Sequence, residues 1–260
     1  MITLKKSLLA LIFAALFLPC ATARAGVAVN YLDGSTALRG YLAGADLPGR
    51  RPGVLIVHQW MGLTDYEKGR ADQIAKELGY VAFAADIYGV GNAPKNTKEA
   101  GKLSGAFEAD RKLYDRRVLV ALDQLKSQPN VDPRRIAVIG YCFGGAGALD
   151  MARINAPVVG VVTFHGFLTT NAPATGPIRP RILILHGADD PYVNHAAVLA
   201  VERELDAVHA RYHVVLYKGA VHAFTQPSSG DDPSKGVAYN AKADHESWKA
   251  MSKFLAEIFK

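Results

Sequence analysis

What most constrains this chain is a rhythm of short apolar runs. They fall at residues 54–57, 81–84, 136–139, 158–164, 182–185 and 214–216, each β-branched or aliphatic and nearly free of polar interruption. Runs of that length and texture are strands buried on both faces, the signature of a parallel sheet. A hairpin precedes them, at residues 27–31 and 37–43. Segments of helical period lie between the runs. Thr64-x-x-Glu67 reads as a capping box ahead of Ile74, Ala75 and Leu78. Asn96-x-x-Glu99 is a second start, leading into a long helix near residues 110–125, and Asn194 caps a helix over 196–208. Trp248, Met251, Phe254, Leu255 and Ile258 keep helical spacing to the C-terminus. The alternation predicts an α/β fold: a mostly parallel, twisted sheet with helices on both faces. In such sheets ligands bind beyond the C-terminal strand ends, so the residues after each run carry the interest.

The N-terminus reads differently. Lys5 and Lys6 precede an unbroken apolar stretch, residues 8–18, then Pro19 and the small residues Ala21, Ala23, Ala25 and Gly26. This is the layout of a secretory signal peptide, too short in its apolar part to span a bilayer as a helix. The expectation is a signal over residues 1–25, cleavage before Gly26, and a single domain over 26–260 that is exported, periplasmic or secreted, with no membrane attachment after signal removal. Pro19 ahead of Cys20 argues against a lipid anchor, since that position wants a small residue. Cys142 is then the lone cysteine of the mature chain, and no internal disulfide forms. Losing Lys5, Lys6 and Arg24 lowers Lys+Arg from 30 to 27 against 24 acids, so the formal charge drops from +6 to +3. That balance, with no basic run interleaved with aromatics, gives no reason to expect a nucleic-acid partner.

Three strand ends carry chemistry. After residues 136–139 comes Gly140-Tyr141-Cys142-Phe143-Gly144-Gly145, which fits G-x-[S/C]-x-G, the sharp strand-to-helix turn that lifts a nucleophile above a sheet. The glycines remove side chains that the turn would crush, and the following helix N-terminus favours a negatively charged sulfur. After residues 182–185 stands His186-Gly187-Ala188-Asp189-Asp190-Pro191, and after 214–216 stands Gly219-Ala220-Val221-His222-Ala223-Phe224. An acid in such a turn can steer a histidine, or can merely cap the helix that follows. The order nucleophile, acid, histidine is that of the α/β-hydrolase arrangement.

These segments, together with Val57-His58-Gln59-Trp60-Met61-Gly62-Leu63, residues 80–89 and Thr163-Phe164-His165-Gly166, resemble the dienelactone hydrolase family of the α/β-hydrolase superfamily. The Gly-Tyr-Cys-x-Gly-Gly elbow is the most specific part, because most of the superfamily uses serine. The resemblance implies an α/β-hydrolase fold and Cys142 as nucleophile, His222 as base and Asp190, rather than Asp189, as the orienting acid. It also implies an oxyanion hole from the Trp60 and Phe143 amides. Gln59, His165 and Gln226 are assigned to substrate binding. Two positions depart from the family pattern: a glutamate that helps activate the thiol is replaced by Gln59, and an arginine that holds a substrate carboxylate is replaced by Gln226.

The resulting expectation is an enzyme that cleaves small carboxylic esters or lactones through a thioester, with no cofactor and no metal. No C-x-x-C pair occurs. His58, His165 and His186 close strands and read as shaping or hydrogen-bonding residues, while His209, His213 and His245 read as surface residues and His195 opens a helix. Arg111 offers a positive charge near the cleft without a motif to fix its role. The competing readings are a catalytically silent hydrolase fold used for binding, which the absence of an acid at Gln59 favours, and a thiol redox protein, which the lack of a second mature cysteine disfavours.

Overall fold

The computed structural model describes residues 25–260; the expected signal segment, apart from Ala25, lies outside the described residues. Eight strands form one sheet: β1 Val27–Asp33, β2 Thr36–Ala43, β3 Arg51–Val57, β4 Val81–Ala84, β5 Val131–Tyr141, β6 Gly160–Phe164, β7 Arg181–Gly187 and β8 Tyr212–Tyr217. Their order is β1-β2-β4-β3-β5-β6-β7-β8. β1 and β2 form the expected antiparallel hairpin, β2 runs antiparallel to β4, and every later pairing is parallel.

Alternate residues of each central strand feed two apolar layers, because successive side chains leave a strand on opposite faces. Leu55, Val57, Ile136 and Val138 join the layer that holds Val118, Leu122, Leu149 and Val198 of the helices α3 Arg111–Lys126, α4 Phe143–Arg153 and α5 His195–Ala207. Val54, Ile56, Ala137 and Ile139 join the opposite layer, with Ile74, Met251 and Leu255 from the α1 and α6 side. Here α1 is Asp65–Gln73, running on into a π-helical turn at Ile74–Leu78, and α6 is Ala241–Ile258. The Thr64–Glu67 capping box forms at α1 as expected, and Asn194 and Asn240 cap α5 and α6.

The helix expected near residues 110–125 is α3, and the expected start at Asn96 is also present, but it opens a separate helix, α2 Thr97–Ala109, and the two meet at Asp110. Asp110 leaves helical geometry (φ −104°, ψ 76°), and its carboxylate accepts the Leu113 amide proton at 3.0 Å. A side chain that satisfies the first free amides of a new helix makes a break inexpensive. The break lets α2 turn over the C-terminal edge of the sheet.

Candidate active site

Cys142 sits between β5 and α4 with φ 54° and ψ −118°. A positive φ at a non-glycine residue is strained, and it holds only where the surroundings over-determine it. The glycines show how. A Cβ on Gly140 would come within 1.9 Å of the Gly144 carbonyl oxygen, one on Gly144 within 2.1 Å of the Val57 oxygen, and one on Gly145 within 2.3 Å of Thr163 Oγ1. The turn is closed from three sides, two by backbone and one by the Thr163 hydroxyl. His165 (φ 38°) and Ala223 (φ 58°) are strained as well, and both lie at this end of the sheet.

The three sequence-selected residues meet there. His222 Nε2 lies 3.1 Å from Cys142 Sγ, and His222 Nδ1–H donates to Asp190 Oδ2 at 2.8 Å. Asp190 Oδ1 accepts the amides of Tyr192 and Val193 at 2.9 and 3.0 Å, which fixes the carboxylate. Asp189 turns away and accepts the Gly219 amide instead. Cys142, Asp190 and His222 are 5%, 4% and 7% exposed. Burial opposes a charge on the His222 ring, but the negative sulfur of Cys142 and the Asp190 carboxylate outweigh it and lift the ring to about 10. Both negative neighbours thus favour the protonated form of the ring. Burial pushes the Asp190 carboxyl up, the hydrogen bond from His222 pulls it down, and the net direction is downward.

Two peptides beside the triad each have a doubly anchored carbonyl. The Cys142 carbonyl, on the peptide that carries the Phe143 N–H, accepts the Gly145 and Phe167 amides at 2.9 and 3.3 Å. Phe143 opens α4, where no intrahelical acceptor exists for its N–H. The Gln59 carbonyl, on the peptide that carries the Trp60 N–H, accepts Gly62 N–H at 3.0 Å and His58 Nδ1–H at 2.6 Å. Tyr88 Oη–H donates to the Trp60 carbonyl at 2.9 Å, and Tyr114 Oη–H donates to the Phe143 carbonyl at 2.8 Å. Glu67 completes the bracing: buried within its capping box, it also accepts the Gln59 amide at 3.3 Å.

The sulfur opens into a cleft of about 420 Å³, whose walls include Gln59, Trp60, Phe167, Tyr192 and Gln226. Gly101, Ser104, Gly105 and Glu108, one face of α2, form a further wall. A profile of the dienelactone hydrolase family matches residues 38–259. The chain belongs to that family. Among solved structures, a dienelactone hydrolase-like promiscuous phosphotriesterase from metagenomic libraries is 38% identical, with TM-score 0.83 over 92% of this chain and 99% of the other. A Bradyrhizobium protein named a probable 2-oxo-3-(5-oxofuran-2-ylidene)propanoate lactonase is 30% identical over 76% of this chain and 84% of its own length. The dienelactone hydrolase of Anabaena variabilis, at 18% identity and TM-score 0.68 over 92% of this chain and 100% of that one, shares the fold. The chain is thus a hydrolase of carboxylic-ester or lactone type on an α/β-hydrolase fold.

The remaining selected residues divide within this family frame. Gln59 and Gln226 line the cleft. His165 does not: it is buried behind His222 at 5.3 Å between ring centroids, and its Nε2 bonds Thr225 Oγ1 at 2.8 Å. His58 and His186 are also buried behind the cleft wall. Burial lowers His58 to about 4, and it moves His186, whose Nε2–H donates to the Val193 carbonyl, in the same direction. Arg111 is committed elsewhere, to Asp150 at 2.7 Å and the Thr169 carbonyl at 3.3 Å. His209 and His213 stand four apart in sequence, yet one follows α5 and the other lies on β8, both exposed. Sequence reasoning missed the α2 wall, Phe167 and Tyr192, and the bracing by Tyr88 and Tyr114. The spacing Gly101, Ser104, Gly105, Glu108 is a helical stripe with room left beside it, and it was the available signal.

Proposed function

We propose that this protein is an exported hydrolase of small carboxylic esters or lactones, working through Cys142, His222 and Asp190. The observation that carries the reading is the continuous path from Cys142 Sγ to His222 Nε2 at 3.1 Å and from His222 Nδ1 to Asp190 Oδ2 at 2.8 Å. The thiolate attacks the substrate carbonyl carbon, and its electron pair moves onto the oxygen. The Trp60 and Phe143 N–H groups receive that oxyanion, a contribution of roughly 3 kcal/mol each. As the tetrahedral species collapses, the leaving alkoxide takes the proton from His222 Nε2, and a thioester on Cys142 remains. His222, now neutral, draws a proton from water; the hydroxide adds to the thioester, and the carboxylic acid departs as the thiolate is restored. Asp190 keeps the ring in one tautomer and stabilises its charged form. Gln59 cannot take up a proton as a glutamate can, so activation of the sulfur falls to His222 and the N-terminus of α4.

Export is supported by the basic start, the apolar stretch and the small residues before Gly26. The Gly26 nitrogen lies 3.0 Å from Asp72 Oδ1, and Ala25 is exposed, so cleavage there would leave a new ammonium beside a carboxylate. Among the described residues no helix is long and apolar enough to cross a membrane.

The test is turnover of 4-nitrophenyl acetate and a panel of small lactones by the mature protein. Cys142→Ala, His222→Ala and iodoacetamide treatment should each abolish it; full turnover by Cys142→Ala would refute the mechanism. A neutral aryl phosphotriester belongs in the panel, given the activity in the name of the 38% identical structure. Sequencing of the exported protein should begin at Gly26, and an intact Met1 overturns the export reading.

A further inference from the structure

The walls of the cleft define a charge preference. No lysine or arginine lines it; its one acidic side chain is Glu108 of α2. The nearest guanidinium by chain position, Arg111, is not among the cleft walls; it is hydrogen-bonded to Asp150 at 2.7 Å, and its charge reaches Glu108 only as a partial offset to burial. Outside the Cys142–His222 pair, whose opposite charges face each other, the other polar side chains on the walls are neutral. Gln59 is 3% exposed, and its amide nitrogen has no hydrogen-bond partner among the described residues. A buried donor left open on a cleft wall awaits an acceptor from the ligand, and a neutral carbonyl or ether oxygen suffices.

The apolar part is equally specific. The rings of Phe167 and Tyr192 stand 5.8 and 5.7 Å from the His222 ring, and Tyr192 is 59% exposed at the mouth. Trp60 forms the opposite side, with space left by Gly101, whose added Cβ would still lie 3.8 Å from the indole. A Cβ on Gly105 would meet nothing within 4 Å. The result is a roomy slot with aromatic walls, one open amide donor and one carboxylate.

We propose that this cleft selects uncharged esters bearing an apolar or aromatic group and rejects esters that carry a carboxylate, with Glu108 as the discriminating residue. The inference rests on the ester-hydrolase reading above. An anionic substrate would enter a partly desolvated space that already holds the Glu108 carboxylate and, apart from a His222 ring already paired with Cys142 and Asp190, offers it no cation, which costs affinity through like-charge repulsion. The arrangement excludes an anion by repulsion and holds a neutral guest by its aromatic walls, so the two effects can be measured apart.

The experiment compares 4-nitrophenyl pentanoate with the mono-4-nitrophenyl ester of glutaric acid. The two share a leaving group and an acyl chain length and differ by one terminal carboxylate. With the mature enzyme at low ionic strength, kcat/KM should favour the pentanoate at least tenfold. Added salt should shrink that ratio, since the repulsion is screened. Glu108→Gln should raise kcat/KM for the glutarate ester at least threefold and narrow the ratio. A wild-type ratio near or below one, with both esters cleaved, sinks the charge proposal and leaves the hydrolase reading standing. A ratio unmoved by both salt and Glu108→Gln removes Glu108 as its cause. Cleavage of neither ester removes the hydrolase reading, and this proposal falls with it. If Glu108→Gln fails to fold, the salt series on the wild type decides.

Discussion

His58 is hydrogen-bonded to its own neighbour: its Nδ1–H donates to the Gln59 carbonyl at 2.6 Å, while its Nε2 accepts the Ile87 amide at 3.2 Å. The ring thereby clamps the peptide that presents the Trp60 N–H, and it can do so only as a neutral imidazole, one nitrogen donating and the other accepting. Removal of a whole oxyanion donor costs about 10² to 10³ in kcat, so loosening one should cost on the order of tenfold. His58→Phe keeps the ring's bulk and loses both bonds. The expected outcome is a kcat about tenfold lower with KM within about twofold, read from steady-state kinetics on a neutral ester. An unchanged kcat would show that the Trp60 amide needs no clamp.

Protonation of His222 depends on what faces it. Its rise to about 10 comes from the negative sulfur and the Asp190 carboxylate against the opposing effect of burial. Turnover should therefore fall as the pH passes about 10, where the ring loses the proton that the leaving alkoxide needs. In Cys142→Ala the sulfur's contribution disappears, and the ring should titrate at distinctly lower pH by imidazole NMR. Because the folded value exceeds the ordinary 6.5, the stability that His222 adds is fully present below that pH and drains away as pH rises toward 10. Urea midpoints for wild type and His222→Gln should converge across that window.

Acid acts through different histidines. His58 is lowered to about 4 by burial, and His165 and His186 move in the same direction for the same reason. Their neutral forms favour the fold above pH 6.5; as pH falls from there toward 4, the unfolded chain takes up protons that the folded one refuses. Urea midpoints should drop between pH 7 and pH 5, and less steeply in His58→Phe than in wild type. Equal slopes would assign the acid sensitivity elsewhere.

The elbow tolerates no added carbon. A Cβ on Gly145 would press on Thr163 Oγ1 at 2.3 Å and Gly166 Cα at 2.5 Å, neither of which can retreat from the packed strand end. Gly145→Ala should cost about 1–3 kcal/mol of stability, the usual range for overpacking, together with most of the activity. Gly105→Ala, inside α2 at a site with open space, should instead raise the urea midpoint, by about 0.5–1 kcal/mol of stability.

The sheet was legible because each parallel strand must bury both faces, so its apolar run stands unbroken in the sequence, as residues 182–185 do. Cys142, Asp190 and His222 were legible because each follows such a run. The split at Asp110 was not. Leu103, Phe107, Tyr114 and Val118 continue a helical pattern across it, and the cap that ends one helix and begins the next is a single aspartate. The roles of His58 and Tyr114 were also out of reach, since both act on carbonyls distant in sequence or facing back along the chain. His165 was placed in the cleft by its strand-end position, whereas its hydrogen bond to Thr225 and its place behind His222 hold it one layer deeper.

The interruption at Asp110 has a consequence for how such an enzyme can change. α2 supplies one wall of the cleft but none of the groups that touch the reacting carbonyl, and its end is sealed by its own capping residue. Substitutions along its inner stripe can redraw which guests are admitted while the sulfur, the imidazole and the two amides keep their coordinates. Selectivity and chemistry are mounted on separate pieces of the chain, and a library confined to residues 101, 104, 105 and 108 is the natural place to retune the first without disturbing the second.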